Sequence, residues 1–198
     1  MGPVFLKGAV VTLRPLERQS DFALCWQWIN DPGIREWLAS FLPVTEREEE
    51  QFFSRERPND FLLAIVTGGQ EPRHIGNIGA HRIHLADRTA ELGILIGEPD
   101  EWGKGYGTDA VLTLARYLFH ELGLVKLVWQ ALSPNERSIR LAKRCGFEVE
   151  AVLKEEKFRH GRRVDVVRLA MFRSQFEAAW ESHQERMRNG GGAVKASG

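Results

Sequence analysis

A chain of 198 residues suits one compact domain and can bury a full hydrophobic core without disulfide or metal staples. Apolar residues make up 43 % and charged residues 27 %, and Lys plus Arg equals Asp plus Glu at 27 each, so the formal net charge is zero. That balance excludes holding nucleic acid through bulk positive charge and leaves room only for a local basic patch. Cys25 and Cys145 lack the close spacing of a zinc knuckle or a redox dithiol and lie among apolar neighbours. They are expected to be small buried hydrophobes, as suits a reducing cytoplasm. Neither a signal peptide over Met1–Leu6 nor a membrane-spanning apolar run is predicted.

In chain order, Val10 to Arg14 reads as a first strand, stopped by Pro15. Ser20 is placed to cap an amphipathic helix in which Phe22, Cys25, Trp26 and Ile29 recur at helical spacing. Asn30-Asp31-Pro32-Gly33 breaks it, and a short helical piece follows over Ile34 to Leu38. Thr45 with Glu48 three residues on is a capping-box pattern for a third helix to about Arg57. The period then changes. Phe61 to Val66 reads as a short apolar strand, and Ile75 to Leu85 and Thr89 to Gly97 as a hairpin joined by Ala86-Asp87-Arg88. After Pro99 a Gly-rich turn opens into a long helix, Thr108 to Leu122, closed by Gly123. Val125 to Leu132 is almost continuously apolar, as expected of a strand covered on both faces. A helix from about Asn135 to Cys145 follows, then strands Phe147–Phe158 and Arg163–Phe172 around His160-Gly161, then a helix Gln175–Met187. This sets one domain at residues 1–188 and a disordered tail at 189–198. Strands and helices mix without strict alternation, which predicts an α+β fold: a mixed, mostly antiparallel sheet with helices on both faces.

Gly103, Gly105 and Gly107 stand two apart between a strand and a helix. Glycines let the backbone approach a ligand and turn its N–H groups inward. The following helix start carries partial positive charge, and Lys104 adds a full one. Together they suit a pyrophosphate, although the glycines alone equally suit a tight connection. A Rossmann loop would need glycine at Thr108, and no Walker sequence is present.

Glu91-Leu92-Gly93-Ile94-Leu95-Ile96-Gly97, then Trp102 to Thr108, then Ser133-Pro134-Asn135 through Ser138 to Gly146-Phe147 form an ordered set. Together they resemble the GNAT superfamily of acetyltransferases, over roughly residues 10–175. The likeness is closer to the branch of ribosomal-protein alanine and spermidine N-acetyltransferases, which Leu13-Arg14-Pro15-Leu16 and Trp28-Ile29-Asn30-Asp31-Pro32 also suit. The resemblance implies a sheet splayed in its middle. It also implies acetyl-CoA as cosubstrate and direct acetyl transfer to a primary amine in a ternary complex. Ile94, Leu95 and Ile96 would run along the pantetheine arm, and Trp102, Gly103, Lys104, Gly105, Tyr106, Gly107 and Thr108 would take the pyrophosphate. Trp102 stands where the family usually has Gln or Arg. Asn135 would reach the cofactor arm, or simply cap its helix. Many members carry a tyrosine acid in that helix; the comparable Leu141-Ala142-Lys143-Arg144 has none. Ser138 matches the serine proposed in the ribosomal-protein branch, as a proton relay or a thiol hydrogen-bond donor; an ordinary first-turn serine is the alternative.

For the base, Glu91 shares a strand face with Gly93 and Leu95 and can take the amine proton through water; a solvated strand face would also explain it. Glu155 and Glu156 are rivals, because the branch places a catalytic Glu near them, although the closest alignment sets Lys157 there. His81 and His84, three apart on a strand, are expected on opposite faces and so not to chelate one metal; His81 is a candidate for lining the acceptor pocket. Trp26, Trp28 and Trp37 lie where the superfamily builds its acceptor site, and an exposed one could recognise a cationic amine. The acidic run Glu46, Glu48, Glu49 and Glu50 would suit a polyamine if it faced the pocket, or form a solvated helix face. The expected acceptor is a protein N-terminal amine or a small amine such as a polyamine. An aminoglycoside-type antibiotic acetyltransferase and a non-catalytic acyl-CoA-binding sensor are the alternatives. No metal, nucleic acid or membrane is expected as a partner, and a homodimer is left open.

Overall fold

A computed structural model describes residues 3–38, 42–55 and 59–190. Within them, one sheet runs in the order β1-β2-β3-β4-β5-β6-β8-β7. Its strands are β1 (Leu6–Lys7), β2 (Val11–Pro15), β3 (Phe61–Thr67), β4 (His74–His84), β5 (Thr89–Ile96), β6 (Lys126–Leu132), β7 (Glu148–Arg159) and β8 (Arg162–Phe172). Neighbours pair antiparallel, except β5 and β6, which are parallel. A parallel pair needs a crossover, and helix α4 (Tyr106–Arg116) supplies it. The α+β fold with a mixed sheet is therefore as the element order implied.

Two apolar clusters lie on opposite faces of this sheet. On one, Cys25 and Trp28 of α1 (Arg18–Asn30) and Ile34 of α2 (Pro32–Arg35) pack with Leu95 of β5 and Phe53 of α3 (Glu46–Ser54). On the other, α4 is buried all round from Thr108 to Ala115, between the sheet, α5 (Glu136–Arg144) and α6 (Arg173–Gly190). Even-numbered Leu92 and Ile94 face α4 and odd-numbered Leu95 faces α1, so alternation along β5 sends successive side chains to different layers.

Several boundaries differ from the sequence reading, each for a local reason. Ser20 does not cap α1. The N-cap is Glu17, without a side-chain cap bond, and the carboxylate of Asp21 inside the first turn accepts from the Glu17 N–H at 2.7 Å and from the Arg14 guanidinium at 2.6 and 2.8 Å. The Thr45–Glu48 capping box forms as read, but α3 ends at Ser54, and residue 57 lies outside the described residues. The predicted helix to Leu122 stops as an α-helix at Arg116 and widens into a π turn over Tyr117–Glu121. Asn189 and Gly190 belong to α6, so the predicted tail begins inside a helix; residues 191–198 lie outside the described residues. A bulge at Arg82 (φ +50) shifts the register between His81 and His84. His81 pairs with Glu91 and His84 with Thr89, so the extra residue brings the two histidines to one face rather than two.

Candidate active site

The site begins where β5 and β6 part. They pair from Thr89↔Lys126 to Leu92↔Trp129 and no further, although β5 continues to Ile96 and β6 to Leu132. Outer neighbours hold both ends apart: β4 pairs Gly76 with Ile96, and β8 pairs Val166 with Leu132. A cleft of about 660 Å³ opens between them. The Gly97 N–H donates to the Ile75 carbonyl at 2.9 Å, so alternation turns the backbone groups of Gly93 and Leu95 to β4 and those of Ile94 and Ile96 to the gap. Buried backbone groups require partners, so this edge is suited to an added extended chain such as a pantetheine arm. The indole N–H of Trp102 donates to the Ile96 carbonyl at 2.9 Å, which occupies the last acceptor of that edge.

The glycine loop closes one end of the cleft. Gly103 and Gly105 have φ of +80° and +92°, and a Cβ built on either meets nothing within 4 Å. Conformation, not crowding, selects glycine there, and the loop surface stays open. The helix proper starts with the Asp109 N–H to the Gly105 carbonyl at 3.1 Å. The N–H groups of Tyr106, Gly107 and Thr108 precede it at the positive end of the helix dipole. These residues line the cleft, as do Trp102, Gly103 and Gly105. The Lys104 side chain instead turns to Glu101, Nζ to Oε2 at 2.9 Å, a bond that raises its pKa. Cations on α5 line the cleft in its stead: Arg137, whose guanidinium lies 3.7 Å over the Trp102 ring, and Arg144, together with Arg140, which is paired with Glu136 at 2.7 Å. Their spacing of three and then four along the chain sets all three on one side of α5. The open cradle, the exposed strand edge and these cations fit a coenzyme carrying a pantetheine arm and a pyrophosphate.

The N-terminus of α5 faces the same gap. Asn135 is the helix N-cap, its Oδ1 accepting from the Ser138 N–H at 3.1 Å, and it also lines the cleft. Ser138 Oγ accepts from the buried Trp129 indole at 2.9 Å. Trp129 is on the α4 face of β6, so Ser138 approaches the gap from the coenzyme side.

Glu91 approaches from the other face. It accepts from Arg82 Nη1 at 2.6 Å and from Gln130 Nε2 at 3.2 Å, and its side chain is 24 % exposed. Gly33, Ile34, Trp37 and Leu38 line this half of the cleft, with Lys157 and Arg159 opposite. Arg159 Nη2 donates to the Leu38 carbonyl at 3.0 Å, which ties the β7 end to α2 across the mouth. Neither Glu155 nor Glu156 lines the cleft; the N–H of Glu155 is held by Asp165 at 2.9 Å. His81 does not line it either, its ring lying over Gly79 and Gly93. Of the three tryptophans, Trp26 and Trp28 spend their N–H groups on the Val44 carbonyl and on Glu98, while Trp37 is 39 % exposed and lines the cleft.

One residue of the loop's frame escaped the sequence reading. Asp109, fully buried in the first turn of α4, accepts from the N–H groups of Ala9, Val10 and Val11 at 3.0, 2.7 and 3.0 Å and from His183 Nε2 at 2.8 Å. Burial alone would raise its pKa, but the bonds from His183 and the three amides hold it below the ordinary value. It thereby anchors the start of α4 to the β1–β2 turn and to α6. Nothing in the sequence marks an aspartate at that position as a hub, because its partners are about a hundred and about seventy residues away.

A parallel strand pair that parts midway, with an open glycine loop and helix start on one face and a carboxylate on the other, is the arrangement expected of an acyl-CoA-dependent transferase. Residues 11–148 match the Acetyltransferase (GNAT) domain family, and the chain belongs to that family. It is 27 % identical over 166 residues to the spermidine N(1)-acetyltransferase of Vibrio cholerae, covering 84 % of this chain and 95 % of that protein. It is 36 % identical over 154 residues to the human alpha/beta-tubulin-N-acetyltransferase 9, covering 72 % and 74 %. The solved structure of the Vibrio cholerae spermidine N-acetyltransferase in complex with CoA and spermine superposes with a TM-score of 0.77 at 26 % identity, over 85 % of this chain and 99 % of that one. The protein is an acetyl-CoA-dependent N-acetyltransferase. Among the described residues no cluster of three His, Cys, Asp or Glu could hold a metal ion, and no helix is long and apolar enough to cross a membrane.

Proposed function

We propose that the protein moves the acetyl group directly from acetyl-CoA to a small primary amine held in the same cleft. The amine nitrogen forms its bond to the acetyl carbon as the carbon–sulfur bond breaks. Glu91 takes the amine proton, through water, and Ser138 donates a hydrogen bond to the departing sulfur. Backbone N–H groups of Ile94 or Ile96 in the gap stabilise charge on the acetyl oxygen. Ile94 to Ile96 position the pantetheine arm, Trp102 to Thr108 take the pyrophosphate, and Asn135 steadies the first turn of α5. The observation that carries this reading is that Glu91 and Ser138 line one cleft from opposite faces of the sheet, on either side of the gap. The spermidine N-acetyltransferases among its relatives support a small amine as acceptor. The free, buried thiols of Cys25 and Cys145, each pushed by burial to a pKa of about 12, support work in a reducing compartment such as the cytoplasm. Thiol release from acetyl-CoA across a panel of amines tests the proposal. Turnover that needs both an amine and acetyl-CoA, with no acetyl-enzyme seen by mass spectrometry, is expected. A stable acetyl-enzyme, or binding without turnover on any amine, would overturn it.

A further inference from the structure

The half of the cleft beneath α2 carries an excess of positive charge, and strand register shows why. Directly opposed residues share a sheet face, and so do residues two apart. Glu91 pairs with Val128, which shares its face with Gln130. Leu132 pairs with Val166, and Val164 pairs with Lys157. Glu91, Gln130, Val166 and Lys157 therefore stand on one face, the face of Leu95, α1 and α2. Among the described residues, the charged ones that line this half are Arg82, Lys157 and Arg159 against Glu91. Arg82 is already bound to Glu91 at 2.6 Å. Arg159 is turned to the Leu38 and Phe158 carbonyls. The Lys157 side chain forms no ion pair or hydrogen bond among the described residues, although its backbone pairs with Val164. The coenzyme does not account for it, because the phosphate cradle and the α5 arginines lie across the gap on the other face.

A polyamine would need carboxylates along this wall. The acidic run of α3 supplies none: Glu48 closes its own capping box, Glu50 pairs with Arg18, and no residue of α3 lines the cleft. Like charges facing one another discriminate strongly against a ligand, and opposite charges select for it. We infer that the acceptor is a primary amine that also carries an anionic group, which Lys157 pairs with while Glu91 faces the amine. This inference rests on the acetyl-transfer reading of the cleft. It narrows the acceptor away from spermidine despite the kinship to spermidine N-acetyltransferases.

The test uses the full chain, acetyl-CoA and matched amines: 4-aminobutyrate against its amide, and 2-aminoethyl phosphate against ethanolamine, with spermidine alongside. The two pairs separate a carboxylate from a phosphate as the preferred anion. Wild type is expected to favour the anionic member of at least one pair by about tenfold or more in kcat/KM, with spermidine poorest. Lys157→Glu should erase that preference and improve spermidine, while Lys157→Arg should keep it. Both variants should bind acetyl-CoA with unchanged affinity by calorimetry, since Lys157 is an exposed edge-strand residue on the acceptor face. A wild-type preference for spermidine or for the neutral amines would overturn the inference and leave acetyl transfer standing. So would a Lys157→Glu loss that scales every acceptor equally. Absence of turnover on every amine, with acetyl-CoA bound, would overturn the transfer reading itself and this inference with it.

Discussion

The indole N–H of buried Trp129 donates to the hydroxyl oxygen of Ser138 at 2.9 Å. One oxygen lone pair is thereby engaged, so the hydroxyl proton points away from Trp129. Trp129 is itself held by its pairing with Leu169 and by edge packing on Phe147, centroids 5.6 Å apart. Ser138→Ala should lower kcat by about tenfold or more while the KM for acetyl-CoA changes little. Trp129→Phe keeps a smaller ring in the core and removes the donor; it should lower kcat in the same direction by less. Steady-state kinetics, with near-UV circular dichroism to confirm packing, check both. Unchanged kcat and KM would show Ser138 to be an ordinary helix serine, and a loss confined to KM would assign it to binding alone.

Glu91→Gln keeps the shape of the side chain and removes its basicity. Its kcat should fall by about a hundredfold or more, with acetyl-CoA affinity unaltered by calorimetry. Unchanged turnover would assign the proton transfer elsewhere. Unchanged behaviour in a protein that binds acetyl-CoA and never turns over would identify a sensor.

Gly105→Ala places a Cβ in open space but on a backbone with φ of +92°. The left-handed conformation costs an L-residue about 1–2 kcal/mol, so the loop should relax away from its cradle shape. Acetyl-CoA affinity is expected to fall about tenfold, measured by calorimetry, with little loss in thermal stability.

Asp109→Asn should destabilise the whole domain, because an amide cannot satisfy three backbone N–H groups and His183 together. Breaking such a buried network costs about 3–5 kcal/mol, or roughly 10 °C in Tm for a chain of this size. The pH dependence follows from the sign of the shift. The folded-state pKa of Asp109 is depressed, so its stabilising contribution is complete above the unfolded carboxylate value of about 4. It is lost as pH falls through the folded value. Urea unfolding should therefore show a large gap between wild type and variant at pH 7, and a smaller one near pH 3.

Much of the site was legible before any coordinates. The order of strand, glycine loop, apolar strand and Asn-x-x-Ser helix is local, and each piece carries its own backbone signal. Glu91, Asn135 and Ser138 all line one cleft. Legibility failed where partners come from distant segments. Lys104 reads as a phosphate cation until Glu101 turns out to hold it. The His81/His84 faces followed strict alternation until the bulge at Arg82 reversed one of them.

By itself the sequence determined the class of fold, the glycine loop that opens α4, and the family, because these rest on short-range periodicity, on glycine and on motif order. Only the tertiary structure decided how the cleft is charged. Lys157 and Glu91 lie sixty-odd residues apart, and it is the pairing of β5 with β6, β6 with β8 and β8 with β7 that sets them on one face. Likewise Asp109 gains its meaning only when the β1–β2 turn and α6 bring it donors. A residue's type and neighbours in the chain set its own conformation, but its electrostatic surroundings belong to whichever strands and helices pack against it.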